Sequence, residues 1–203
     1  MKKLFGHPDS GHAYKVRFFM VAAGIEHEYE VVDIFAPRDQ RQAEFMKHAR
    51  YHEVPLLLDG DKALVQSGAL LLYLAEQTNR WGAQNAKLWQ QCREWIVWES
   101  NKIGLCLPQL LAHEKFESMR LNEGAHQWLS QRYDHDSKLL NDALADQRPF
   151  ILGDEPSIAD FCLSGYLFMA EPSSIEAPDR VSAWLGRLAK LPGWQPPSKL
   201  LAG

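Results

Sequence analysis

The chain has 203 residues, 46% hydrophobic and 24% charged, the balance of a soluble globular protein with one large or two small domains. A net charge of −4 gives no electrostatic footing for nucleic acid. Cys92, Cys106 and Cys162 are odd in number and widely spaced, so they read as reduced, buried thiols and not as a disulfide framework or a metal site. The longest apolar run, Ala69 to Ala75, is too short to span a bilayer, and no apolar stretch follows Met1-Lys2-Lys3. The expectation is therefore a cytoplasmic protein with no membrane partner, no nucleic-acid partner and no metal.

Lys3-Leu4-Phe5-Gly6 is a strand, ended by the turn-rich His7-Pro8-Asp9-Ser10-Gly11. Val16, Phe19, Met20 and Ala23 recur at helical spacing, and Gly24 closes that helix. Glu28 to Ile34 alternates as a second strand. Residues 37–50 are polar, with a short helix around Ala43–Met46. Val54 to Leu58 and Ala63 to Val65 flank an Asp-Gly turn, a hairpin signal, and a helix begins at Ser67, the expected N-cap. From Ala86 onward the pattern is helical throughout. Trp89, Cys92, Trp95, Ile96 and Ile103 mark one helix, which Pro108 is expected to bend or end. Trp128 to Leu144 marks a second, the tryptophans reading as core. Phe150 to Gly153 reads as a connector. Ser157 and Asp160 form a capping box ahead of the apolar run Phe161–Met169, and a last helix covers Val181 to Leu191.

The stretch Val54–Ala75 organises the rest. A helix starting at Ser67 presents free N–H groups and the positive end of its dipole, which suit a carboxylate. Pro55 opens a strand, where its missing N–H does not weaken the ladder, and an X–Pro bond is the one place where a cis peptide is cheap. The Val54 backbone would then be free to pair with an extended, peptide-like ligand.

Five blocks in order resemble the glutathione S-transferase family, the bacterial serine-type, theta/nu-like members in particular. They are Ser10–Val16, Val54-Pro55, Gln66–Ala75, Leu152–Asp160 and Leu191–Trp194. The resemblance implies a thioredoxin-like β-α-β-α-β-β-α domain over residues 1–78, a linker over 79–85 and an all-helical domain over 86–203. It implies an enzyme that joins the thiolate of glutathione, its co-substrate, to a hydrophobic electrophile, and a homodimer. The same fold also serves non-catalytic interaction proteins and glutathione-dependent peroxidases or isomerases.

Carried onto this sequence, the resemblance makes Ser10 the thiolate partner and gives glutathione the contacts Ser10, Glu53, Val54, Pro55, Gln66 and Ser67. Ser10 is also a good helix cap on its own merits, and the two roles are compatible. Tyr14, a turn inside the helix, is expected to pack, and His12 to stand in a pocket wall. No cysteine lies between Ser10 and Ala13, which argues against thiol–disulfide exchange. Family members often carry Lys, Arg or Gln where this chain has Glu53, which would repel the glycyl carboxylate. His52, Arg50, Arg41 and Arg38 are the candidate replacements. The second-substrate pocket is placed at Pro8, His12, Trp98, Lys102, Ile103 and Cys106, and Ser157 and Asp160 are structural.

Overall fold

The computed structural model describes residues 1–82 and 85–203. The chain opens with β1 (Lys2–Gly6), α1 (Gly11–Ala22), β2 (His27–Val31) and the short α2 (Ala43–His48). A hairpin of β3 (Leu56–Asp59) and β4 (Lys62–Val65) leads into α3 (Ser67–Thr78). The sheet runs in the order β2-β1-β3-β4, with β1 parallel to β2 and the other pairs antiparallel. This is the expected thioredoxin-like layer. The hairpin turn is Gly60-Asp61 with Gly60 at φ 61°, a positive angle that favours glycine.

The second half is helical: α4 (Ala86–Asn101), α5 (Ile103–Lys115), α6 (Glu123–Ala143), α7 (Ile158–Ala170), α8 (Asp179–Leu188) and α9 (Pro197–Leu200). The linker expected over 79–85 includes residues 83 and 84, which lie outside the described residues. The short α9 is absent from the sequence-based expectation, because four residues carry no readable period.

One main core spans both halves. Helix α1 is covered almost all round, by the sheet on one side and α7 on the other, and nine of its twelve residues are buried. Phe18 and Phe19 of α1 meet Phe161 of α7 with ring centroids 4.9 and 5.2 Å apart. The crossing is tight because two glycines face each other. A Cβ on Gly165 would come within 2.5 Å of the Gly11 carbonyl oxygen. Lys15 of α1, 1% exposed, reaches Glu99 of α4 at 2.8 Å and the Cys162 sulfur at 3.5 Å. A second, smaller core under the other sheet face packs Phe5, Val32, Phe45 and Leu56.

Two expectations for the helical half are corrected. Pro108 lies inside α5 and does not end a helix. The break falls instead at Lys102, where φ −120° and ψ −103° leave the helical region. Trp128 is not core: it is 52% exposed, with the Arg132 guanidinium over its ring. The three cysteines are buried and unpaired among the described residues. Among those residues, no helix is long and apolar enough to cross a membrane.

Candidate functional site

Two cavities flank the start of α1. The smaller, about 390 Å³, lies against the start of α3. Glu53, Val54, Pro55, Gln66 and Ser67 all line it, so the structure brings together five of the six residues expected to contact glutathione. The Val54–Pro55 peptide is cis. Val54 precedes β3, and neither its N–H nor its C=O bonds to another described residue.

Ser67 is not the N-cap. Gln66 is, at φ 71° and ψ 107°, and its side chain makes no capping bond. The positive φ of Gln66 turns the chain from β4 into the helix one residue earlier than the serine suggested. Leu70 N–H donates to the Gln66 carbonyl, and the N–H groups of Ser67, Gly68 and Ala69 have no described protein acceptor. The uncapped start of this twelve-residue helix is thus open to the cavity. The Ser67 hydroxyl, freed from capping, lies 3.5 Å from Nδ1 of His12.

His12 stands in the wall of this cavity, its ring edge-on to Tyr166 at 4.9 Å. Burial, reinforced by the Lys15 ammonium, pushes its pKa down to about 3, so the ring is neutral at pH 7.

Ser10 caps α1: its Oγ accepts from Ala13 N–H at 3.1 Å. It is 5% exposed and sits between the two cavities, not among the lining residues of either. Its O–H remains available as a donor, because the cap uses only a lone pair. Tyr166 of α7 shares this point. Its ring lies flat on Gly11, where an added Cβ would come within 2.7 Å, and its phenol is beside the Ser10 hydroxyl. Burial pushes the phenol up to about 12, against the pull of Lys15, so it is a neutral donor. Sequence reasoning missed Tyr166. The available signal was Gly165-Tyr166 interrupting an otherwise apolar helix. Tyr14 packs as expected, donating to the Gln195 carbonyl at 2.9 Å.

The larger cavity, about 840 Å³, holds Pro8 as expected, with Pro108, Leu111, Lys115, Phe116 and Met169, and Tyr166 at its inner end. The other residues assigned to it are not there. His12 faces the smaller cavity. Ile103 and Cys106 are 0% exposed in the main core, and Trp98 packs on that core against Trp95. Lys102 is the joint between α4 and α5. The break at Lys102 resets the helical phase, so the face of α5 lining the cavity runs through 108, 111 and 115 instead.

The structural pair is in place. Both oxygens of Asp160 are used: Oδ2 accepts from the Ser157 N–H and hydroxyl at 2.8 and 2.9 Å, Oδ1 from Ile151 N–H and Trp184 Nε1 at 2.8 and 2.9 Å.

A protein-family model for the N-terminal domain of glutathione S-transferases matches residues 2–76, and one for their C-terminal domain matches 124–187. The chain belongs to the glutathione S-transferase family. It is similar to a dichloromethane dehalogenase of Methylorubrum extorquens, 26% identical over 94% of this chain and 72% of that one. It is also similar to a disulfide-bond oxidoreductase of Escherichia coli, 27% identical over 77% and 74%. Among solved structures, a glutathione S-transferase from Xanthobacter autotrophicus covers 99% of this chain and 100% of its own at a TM-score of 0.83 and 24% identity, a likeness of fold.

Proposed function

We propose that this transferase-family chain binds glutathione in the smaller cavity and joins its sulfur to an electrophilic carbon held in the larger one. The observation that carries the reading is the uncapped start of α3, with the unpaired backbone of Val54 beside it. The α-carboxylate of the γ-glutamyl end fits the free N–H groups of Ser67 and Gly68. The cysteinyl backbone fits Val54. The thiol then falls toward the start of α1, where Ser10 and Tyr166 offer two hydroxyl donors to the thiolate. The thiolate attacks the carbon, the carbon–sulfur bond forms, and the leaving group departs with the bonding pair. Holding both reactants on either side of Ser10 supplies the proximity. The apolar lining of the larger cavity suits a hydrophobic electrophile.

The dehalogenase relative supports trying a carbon–halogen bond first. Thiol–disulfide exchange, suggested by the oxidoreductase relative, has no protein thiol at this site, since all three cysteines are buried elsewhere. A homodimer in the cytoplasm completes the proposal, and light scattering of the purified chain tests the dimer.

The decisive experiment pairs calorimetry with kinetics on a nitro-substituted aryl chloride. Ser10→Ala is expected to lower kcat by about a hundredfold, the lower end of what loss of one charge-stabilising donor costs, with glutathione Kd changed less than about threefold. Unchanged turnover would remove Ser10 from the mechanism. No glutathione binding at millimolar ligand would favour a non-catalytic interaction protein.

A further inference from the structure

The charge inside the smaller cavity points to a narrower thiol ligand. Glutathione carries two carboxylates at opposite ends of an extended chain about 10 Å long. One end is served by the free N–H groups of α3. From there an extended ligand running back along Val54 meets Glu53 and Tyr51, which also line the cavity. Among the described residues, Glu53 is the only charged side chain lining the cavity, His12 being neutral. No cation among the described lining residues stands opposite it.

The nearby cations are otherwise placed. Arg41 donates to the carbonyls of Ala36, His52 and Ile34, so its guanidinium staples the 34–52 loop. Arg132 reaches the Asn101 carbonyl from outside, beside Asp136. Arg50 lies over the Tyr51 ring at 5.5 Å, outside the lining. Of the candidates proposed from sequence, His52, Arg50, Arg41 and Arg38, none is among the described lining residues, although Arg50 and His52 flank Tyr51, which is.

We propose that the preferred thiol is a glutathione whose glycine carboxylate is condensed with an amine, above all a polyamine whose free ammonium pairs with Glu53. Condensation as an amide removes the carboxylate that Glu53 repels, and a second amine on the same substituent supplies the charge that Glu53 attracts. The inference rests on reading the cavity as a glutathione site.

The test uses calorimetry with three probes: glutathione, its glycine ethyl ester, and its glycine amide with ethylenediamine, which retains one ammonium. The wild type is expected to bind them progressively more tightly, by about three- to tenfold from first to last, the range of a partly exposed charge pair. The ratio should shrink as salt is raised from about 20 to about 500 mM, because exposed charges are screened. Glu53→Gln should flatten the series and Glu53→Lys should reverse it. The exposed position of Glu53 makes both variants compatible with folding. Wild type binding free glutathione as tightly as the diamine amide would overturn the inference. So would weaker glutathione binding in Arg50→Ala with Glu53→Gln unchanged, since Arg50 would then hold the carboxylate. If none of the three probes binds, the glutathione site itself is wrong and this selectivity falls with it. If glutathione binds best, the site stands and only the selectivity falls.

Discussion

Helices α3 and α7 begin in opposite ways. At α7 the start is closed: Ile158 N–H reaches the Trp81 carbonyl, Asp160 and Phe161 N–H reach the Ser157 carbonyl, and the Asp160 carboxylate gathers four donors from Ser157, Ile151 and Trp184. At α3 the cap is a side chain that makes no bond, and three N–H groups face a cavity. A helix start costs free energy when its donors are buried and unpaired. The fold spends a buried carboxylate to close one start, and leaves the other for a ligand. The start of α1 is intermediate, because Ser10 closes it with a lone pair and keeps its hydrogen.

The strongest way to break this contrast is Asp160→Ala. It strands four donors in a site with 0% exposure, joining the connector, α7 and α8. The expected loss is about 3–5 kcal/mol, with a melting temperature lower by about 10 °C or more, read by calorimetric or circular-dichroism melts. A drop of under about 1 kcal/mol would mean that α7 needs no closed start.

A pH series probes the ground between the two helices, where His12 sits. Its folded pKa is depressed to about 3, against about 6.5 unfolded. Below about pH 6.5 the unfolded chain takes up a proton that the folded ring refuses. Stability is therefore full above that pH and falls as pH drops toward 3. Between pH 7 and pH 5 the expected loss from this group is about 1 kcal/mol, allowing for solvent screening at a half-buried ring. Urea midpoints at the two pH values, in wild type and His12→Gln, isolate it: the variant should show the smaller drop.

How much of this was legible in the sequence follows the range of the interaction. The α7 start was legible because Ser157 and Asp160 are three residues apart and their bonds close locally. The hairpin and Val54-Pro55 were legible for the same reason. The α3 start was half legible: the serine marked the place, but the positive φ of Gln66 that moves the cap is a turn conformation with no signature in a glutamine. Tyr166 and the larger cavity were not legible. They depend on how α7 crosses α1 at Gly11 and Gly165 and on the phase set at Lys102, which no spacing within one helix encodes. Glu53 was legible as an anomaly, and the structure sharpened it, since no cation is among the described residues lining the cavity.

The smallest expected effect on stability is the most discriminating. Ser67 and Ser157 look alike in sequence, each a serine before an apolar helix. Ser157 belongs to the capping box of α7, its N–H and hydroxyl both donating to Asp160, so Ser157→Ala should cost about 1 kcal/mol in stability. Ser67 is the first residue inside its helix and caps nothing, so Ser67→Ala should leave the melting temperature within about 1 °C. Its hydroxyl faces the cavity, so glutathione affinity should instead fall about ten- to a hundredfold, the worth of one charge-assisted hydrogen bond. Melting and calorimetry on the two variants separate these outcomes. Ser67→Ala that destabilises the free protein while leaving glutathione affinity intact would make the α3 serine a structural residue like its counterpart. The open helix start would then have to hold the carboxylate by its backbone alone.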